Sequence, residues 1–143
     1  MPGTPYIPTL QARWCEVPIF ELPVGLAEVA HFTVPRVQTW GSQADAEYKE
    51  QVRRASGIHL EDAERFEWFV FCIRCVVGEG RERWKRRVPD VENIPKLIVD
   101  AFTSLLYPDD DLHHVRGVQV EAEWGPGEWE QAEVWIYGQP KGG

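Results

Sequence analysis

The chain is poor in the features that mark several large protein classes. It has three cysteines, an odd number that builds no disulfide framework. No apolar run approaches the roughly 18 residues of a membrane-spanning helix. Its start shows no basic segment leading into an apolar stretch, so no signal peptide is expected and cytoplasmic placement is the default. The stretches "GEG" at 78–80 and "GPG" at 125–127 read as turns rather than phosphate-cradling loops. No Ser-His-Asp or Cys-His arrangement can be argued from the spacing of the residues.

What is present is ordinary globular material: 143 residues, 43% hydrophobic, 27% charged, with seven Trp. That length closes one core, so residues 1–143 are expected to form one domain. The net charge of −8 disfavours a nucleic-acid partner, because phosphate repels an acidic surface. The charge is unevenly placed, however. "RERWKRR" at 81–87 holds five basic residues against one acid, a basic strip on an otherwise acidic body.

Periodicity places the elements. Residues 1–13, with three prolines, read as a loose arm, and "VPIFEL" at 17–22 as a first strand. Over 24–40, Pro35 and the β-branched Thr33, Val34 and Val37 favour extended or irregular backbone. A helix is predicted from a Ser42 cap to a Gly57 stop. "FEWFVFCIRCVV" at 66–77 is a strand by its aromatic and β-branched content. Ile94, Leu97, Ile98, Ala101 and Leu105 recur at three and four, a second helix with Pro95 in its first turn. Val118, Val120, Ala122 and Trp124 alternate with polar residues as a half-buried strand. "GPGE" then turns the chain into "QAEVWIYG" as a hairpin partner. The sum is α+β: a small mixed sheet of about four strands with two main helices.

The chemistry is concentrated in "RRVPDVENIPKLIVDAF" at 86–102 and the acidic "DDD" of Asp109 to Asp111. Glu92, Lys96 and Asp100 are spaced by one helical turn each and form a polar stripe beside the apolar face. A helix of roughly 13–15 residues is about 20 Å long. The loop carboxylates therefore approach Glu92 only if the chain doubles back. The plain alternative is an ion-pair ladder on a solvated helix, followed by an acidic turn.

These same residues resemble a known family. "RRVPDVENIPKLIVDAF" followed by "YPDDDLHHV" is similar to the signature of RusA-type Holliday-junction-resolving endodeoxyribonucleases. In that pattern a basic stretch leads into Asp-x-Asp-Asn-x-x-Lys, then Asp-Ala, then an acidic pair. The positions fall on Asp90, Glu92, Asn93, Lys96, Asp100 with Ala101, and the 109–111 cluster, with the pair counted onto Asp110 and Asp111. Glu92 stands where the family has Asp, a carboxylate longer by one methylene. The resemblance extends over about residues 81–115.

The resemblance implies a RusA-like, homodimeric, Mg²⁺-dependent endonuclease acting on branched DNA in recombination or repair, in a host or prophage context. Mn²⁺ is a possible substitute for Mg²⁺. It implies Asp90, Glu92, Asp110 and Asp111 as metal ligands. The catalytic set would be Asp90, Glu92, Lys96 and Asp111, with Lys96 on the scissile phosphate. Arg81, Arg83, Lys85, Arg86 and Arg87 would grip backbone phosphates without reading sequence, and Trp84 would either stack on an unpaired base or anchor into the core. Asp100 is expected to orient Lys96 or bind backbone, and one of His113 and His114 to help position water. The two alternatives are a catalytically silent junction binder and a non-enzymatic protein-interaction domain. "CIRC" at Cys72 and Cys75 sits in a strand pattern, where positions three apart face opposite sides, so buried structural thiols are expected rather than a redox or zinc site.

Overall fold

The computed structural model describes residues 25–37, 45–79 and 93–142. Along them lie β1 (Ala27–Val34), α1 (Asp45–Ser56), a one-turn α2 (Leu60–Ala63), β2 (Phe66–Gly78), α3 (Ile94–Asp100), β3 (Val115–Gly125) and β4 (Gln131–Pro140). The strands form one mixed sheet in the order β1-β4-β2-β3. β4 runs antiparallel to β1 and β2, and β2 runs parallel to β3. A parallel pair needs a crossover, and α3 lies within it. The α+β class and the four-stranded sheet are those predicted from the sequence pattern.

β2 is buried along most of its length, as befits a strand in the interior of the sheet. Phe69, Phe71, Ile73, Cys75 and Val77 enter the core with Val34, Val134 and Ile136. Over them pack Tyr48 and Val52 of α1, and Ile94, Leu97 and Ile98 of α3. Phe102, just past α3, is fully buried, with ring centroids 6.3 Å from Phe32 and 5.9 Å from Phe71. The other face of the sheet is polar. There His31 stacks on Trp135 at 4.5 Å and lies 2.6 Å from the Glu133 carboxylate, while the Arg74 guanidinium sits 4.7 Å from the Trp135 ring centre.

Four details differ from the sequence reading or sharpen it. Within 24–40 the backbone settles as extended strand at Ala27–Val34. Ser42, the predicted helix cap, lies outside the described residues, as do the arm at 1–13 and the strand expected at 17–22. The stop at Gly57 holds, with φ of 66°, the left-handed conformation that glycine adopts without a Cβ penalty. The helix predicted to reach Leu105 ends at Asp100; Leu105 and Leu106 instead bond back to Phe102 in tight turns around Ser104, whose φ is 76°.

The predicted β3–β4 hairpin does not form, because β2 lies between the two strands. The segment between them crosses the end of β2 instead. Gly78 makes this possible: a Cβ there would stand 3.0 Å from Gly127 Cα. Glu130 then accepts from Gly78 N at 2.9 Å through one oxygen and from Val37 N at 3.0 Å through the other. β3 is left as an edge strand, which is why its alternation is incomplete: Val120 and Ala122 pack on the core, but Val118 and Trp124 are exposed.

The two cysteines behave as the two-residue strand period requires. Cys75 belongs to the core cluster and Cys72 does not, yet both are buried. Burial pushes both thiols up, Cys72 to about 12, so neither is a thiolate at neutral pH.

Candidate functional site

α3 carries Lys96 outward between buried Pro95 and Leu97. With seven residues it is about 10 Å long, half the span expected from sequence. The chain after it folds back at once. Ser104 N donates to Tyr107 O at 2.6 Å, and Tyr107 Oη donates to Val99 O at 2.6 Å, pinning Tyr107 against the last turn of α3. The acidic loop therefore leaves from beside α3, not from beyond a distant end.

Asp100 is not part of an ion-pair ladder with Lys96. It pairs with Lys49 of α1, with Nζ 2.8 Å from Oδ2, a partner distant in sequence. Arg53 of α1 donates to Ala101 O at 2.9 Å, satisfying a carbonyl at the helix end. Lys96 has no ion pair among the described residues, and Asp100, expected to orient Lys96 or bind backbone, pairs with Lys49 and clamps α3 to α1. No local spacing signals either contact, since each joins residues about fifty positions apart.

The loop itself has a defined order. Asp109 Oδ1 accepts from Asp110 N at 2.9 Å. Asp111 starts a single helical turn: its carbonyl accepts from His114 N and Val115 N, and its Oδ1 accepts from His113 N at 3.1 Å. The same Oδ1 lies 2.8 Å from His114 Nδ1. A carboxylate only accepts, so Nδ1 carries the proton in this contact. His114 is held in turn: Phe69 N donates to its carbonyl at 2.7 Å, and its ring lies 6.2 Å from Tyr107. The D-x-x-H spacing of Asp111 and His114 is the one local signal in the sequence that could have announced this pair.

Three ionisations follow from this packing. Asp110 is raised above the ordinary carboxylate range, first by burial, then by its contact with Asp109 and the nearby charge of Asp100. Asp111 is lowered, first by the hydrogen bond from His114. Tyr107 is pushed up by burial, with the charges of Asp110 and Asp100 adding to the effect. The structure thus brings Asp110, Asp100 and Tyr107 into one electrostatic neighbourhood. It holds Asp111 ionised at the surface, with both side-chain hydrogen bonds made by Oδ1.

Of the residues singled out from sequence, Asp110, Asp111, His113 and His114 lie together in the loop that follows α3, and Lys96 is exposed on α3 itself. Asp90, Glu92, Arg81, Arg83, Trp84, Lys85, Arg86 and Arg87 lie outside the described residues. Among the described residues no group of three His, Cys, Asp or Glu side chains is placed to hold a metal ion. No helix among them is long and apolar enough to cross a membrane.

Comparison with known proteins shows the family. The family model described as Endodeoxyribonuclease RusA matches residues 23–136, most of the chain. No curated protein matches it.

Proposed function

This chain belongs to the RusA endodeoxyribonuclease family, and from that premise we propose that it is a divalent-metal-dependent nuclease that cuts branched DNA, four-way junctions included, in recombination or repair. The observation that carries the reading is the turn after α3. It supports the reading by starting the loop that carries Asp110 and Asp111 at the last turn of the helix that bears Lys96.

Hard carboxylate oxygens suit Mg²⁺, which keeps several waters and needs only a few protein ligands. Asp110 and Asp111 offer such oxygens, and the crowding that raises Asp110 is what a cation relieves. Asp90 and Glu92 would complete the set. A divalent ion held by these carboxylates would neutralise charge at the scissile phosphate and lower the pKa of an attacking water. The chain's own groups do the rest. His114 fixes the orientation of Asp111 through Nδ1. Lys96 reaches outward to the phosphate, where its charge is worth most as negative charge builds in the transition state. Arg81, Arg83, Lys85, Arg86 and Arg87 hold the backbone of the DNA arms.

A four-way junction has two-fold symmetry and needs two matched nicks, so the working species would be a homodimer with one site per subunit. The test is cleavage of a labelled four-way junction with and without Mg²⁺, beside linear duplex and the Asp90→Asn variant. Paired symmetric nicks that need the metal and vanish in the variant are expected. An intact junction that still shifts on a native gel would replace the nuclease with a silent junction binder. Neither cut nor shift would leave the acidic residues as a solvated surface.

A further inference from the structure

Immediately after Asp111 the chain exposes a large apolar side chain with no structural reason to be there. Leu112 is 75% exposed, the most exposed large hydrophobic residue among the described residues. It contributes nothing to the core, yet its backbone is firmly placed. Asp111 O accepts from His114 N and Val115 N on either side of the turn, and Arg116 Nε reaches back to Leu112 O at 3.4 Å. The Arg116 guanidinium lies 4.9 Å from the centre of the Trp68 ring on β2. The turn thus presents an apolar tip on a base anchored to the sheet.

Beside this tip is an open depression lined, among the described residues, by Leu112, His113 and Arg116. Its lining combines an apolar surface, an imidazole and a guanidinium, and the last two are planar groups on which bases stack. An exposed apolar side chain is the kind of group that proteins insert between stacked bases to open a step.

We propose that Leu112 is a wedge that enters the branch point of the DNA, and that the adjacent His113–Arg116 depression receives the nucleobase it unstacks. This rests on the reading of the site as a branched-DNA nuclease, and it names how that site selects its substrate. A branch point already lacks continuous stacking, so opening it costs less than opening a duplex step. Wedge insertion one residue from Asp111 couples that difference to the position of the scissile phosphate. Preference for branched over linear DNA is therefore located in Leu112, outside the carboxylates and Lys96.

The experiment places 2-aminopurine at the branch point of a four-way junction and reads its fluorescence on addition of the full-length protein in Mg²⁺, before cutting. Junction cleavage and thermal melting are measured on the same samples. Wild type is expected to raise the fluorescence. Leu112→Ala should leave it at the level of free junction and slow branch-point cutting by about tenfold to a hundredfold, the range of one lost stacking contact. Leu112→Met, which keeps an apolar tip, should restore both. Because Leu112 is exposed, the melting temperature should not move in either variant. Wild-type fluorescence and cutting retained in Leu112→Ala would overturn the wedge while leaving the nuclease reading intact. A wild-type protein that neither binds nor cuts the junction would overturn the nuclease reading, and the wedge with it.

Discussion

Asp100 and Asp111 stand at the two ends of one turn and differ in what holds them. Asp100 is gripped from outside its own segment by Lys49 of α1, at 2.8 Å, and with Arg53 on Ala101 O it fastens two helices together. Among the described residues, Asp111 is held by its own turn alone, through His113 N and His114 Nδ1, and is exposed. The same side chain is a fastener in one place and a presented carboxylate in the other. Chemical type does not decide between these roles; the origin of the partner does. A partner from a distant element ties a group into the fold. A partner from its own turn orients the group and leaves it facing outward.

Disrupting the packing under the turn should give the largest effect. Phe102→Ala removes a fully buried ring between Phe32 and Phe71 and should cost about 3–5 kcal/mol of stability, read from urea unfolding. Because Tyr107 is pinned just beyond it, the presented turn should loosen too, erasing the difference between the two acids. A loss below about 1 kcal/mol would mean that Phe102 is not the keystone of this corner.

A third carboxylate extends the contrast to a buried setting. Glu133 is 5% exposed, and burial pushes it to about 7 from an ordinary 4.5. The folded state therefore holds a proton that the unfolded chain releases. Its favourable contribution is complete below about pH 4.5 and is lost as pH rises to about 7, with a total of up to about 3 kcal/mol. Wild type should lose stability relative to Glu133→Gln across that window and keep a constant difference above it. A flat difference from pH 4 to 8 would mean that the His31 imidazole, 2.6 Å away, keeps the carboxylate ionised.

The comparison itself is sharpened by a matched pair of isosteric changes. Asp111→Asn should reduce Mg²⁺-dependent junction cleavage by about a hundredfold or more, beyond the loss usual for an outer-shell partner, with little change in melting temperature. Asp100→Asn should do the reverse, leaving cleavage within a few-fold and costing about 1 kcal/mol or less through the half-exposed Lys49 pair. Equal losses of cleavage in both variants would collapse the distinction between fastener and presented acid.

Much of this was legible in the sequence, and the misses share a cause. The strand at 66–77 announced itself through its density of aromatic and β-branched residues, and Gly57 through its place after a polar helix. The helix at 94 was legible in type but not in length. Leu105 continues the apolar spacing, yet Ser104 takes a positive φ and Tyr107 bonds back to Val99, contacts invisible to periodicity. The hairpin expectation failed similarly: "GPGE" is good turn chemistry, but whether a turn joins neighbours or vaults a third strand depends on what fills the gap. Here β2 fills it, and Gly78 leaves room for the crossing.

By itself, then, the sequence determined the α+β class, the buried central strand, and the spaced motif of Asp90, Glu92, Lys96 and the 109–111 acids, because apolar periodicity and motif spacing are local properties of a chain. The tertiary structure alone decided the strand order, the capture of Asp100 by Lys49, the polar face around Glu133, and the return of the acidic loop beside α3. Each of these joins residues far apart in the chain. Their energies come from burial, ion pairing and hydrogen bonds that exist only once the sheet has closed.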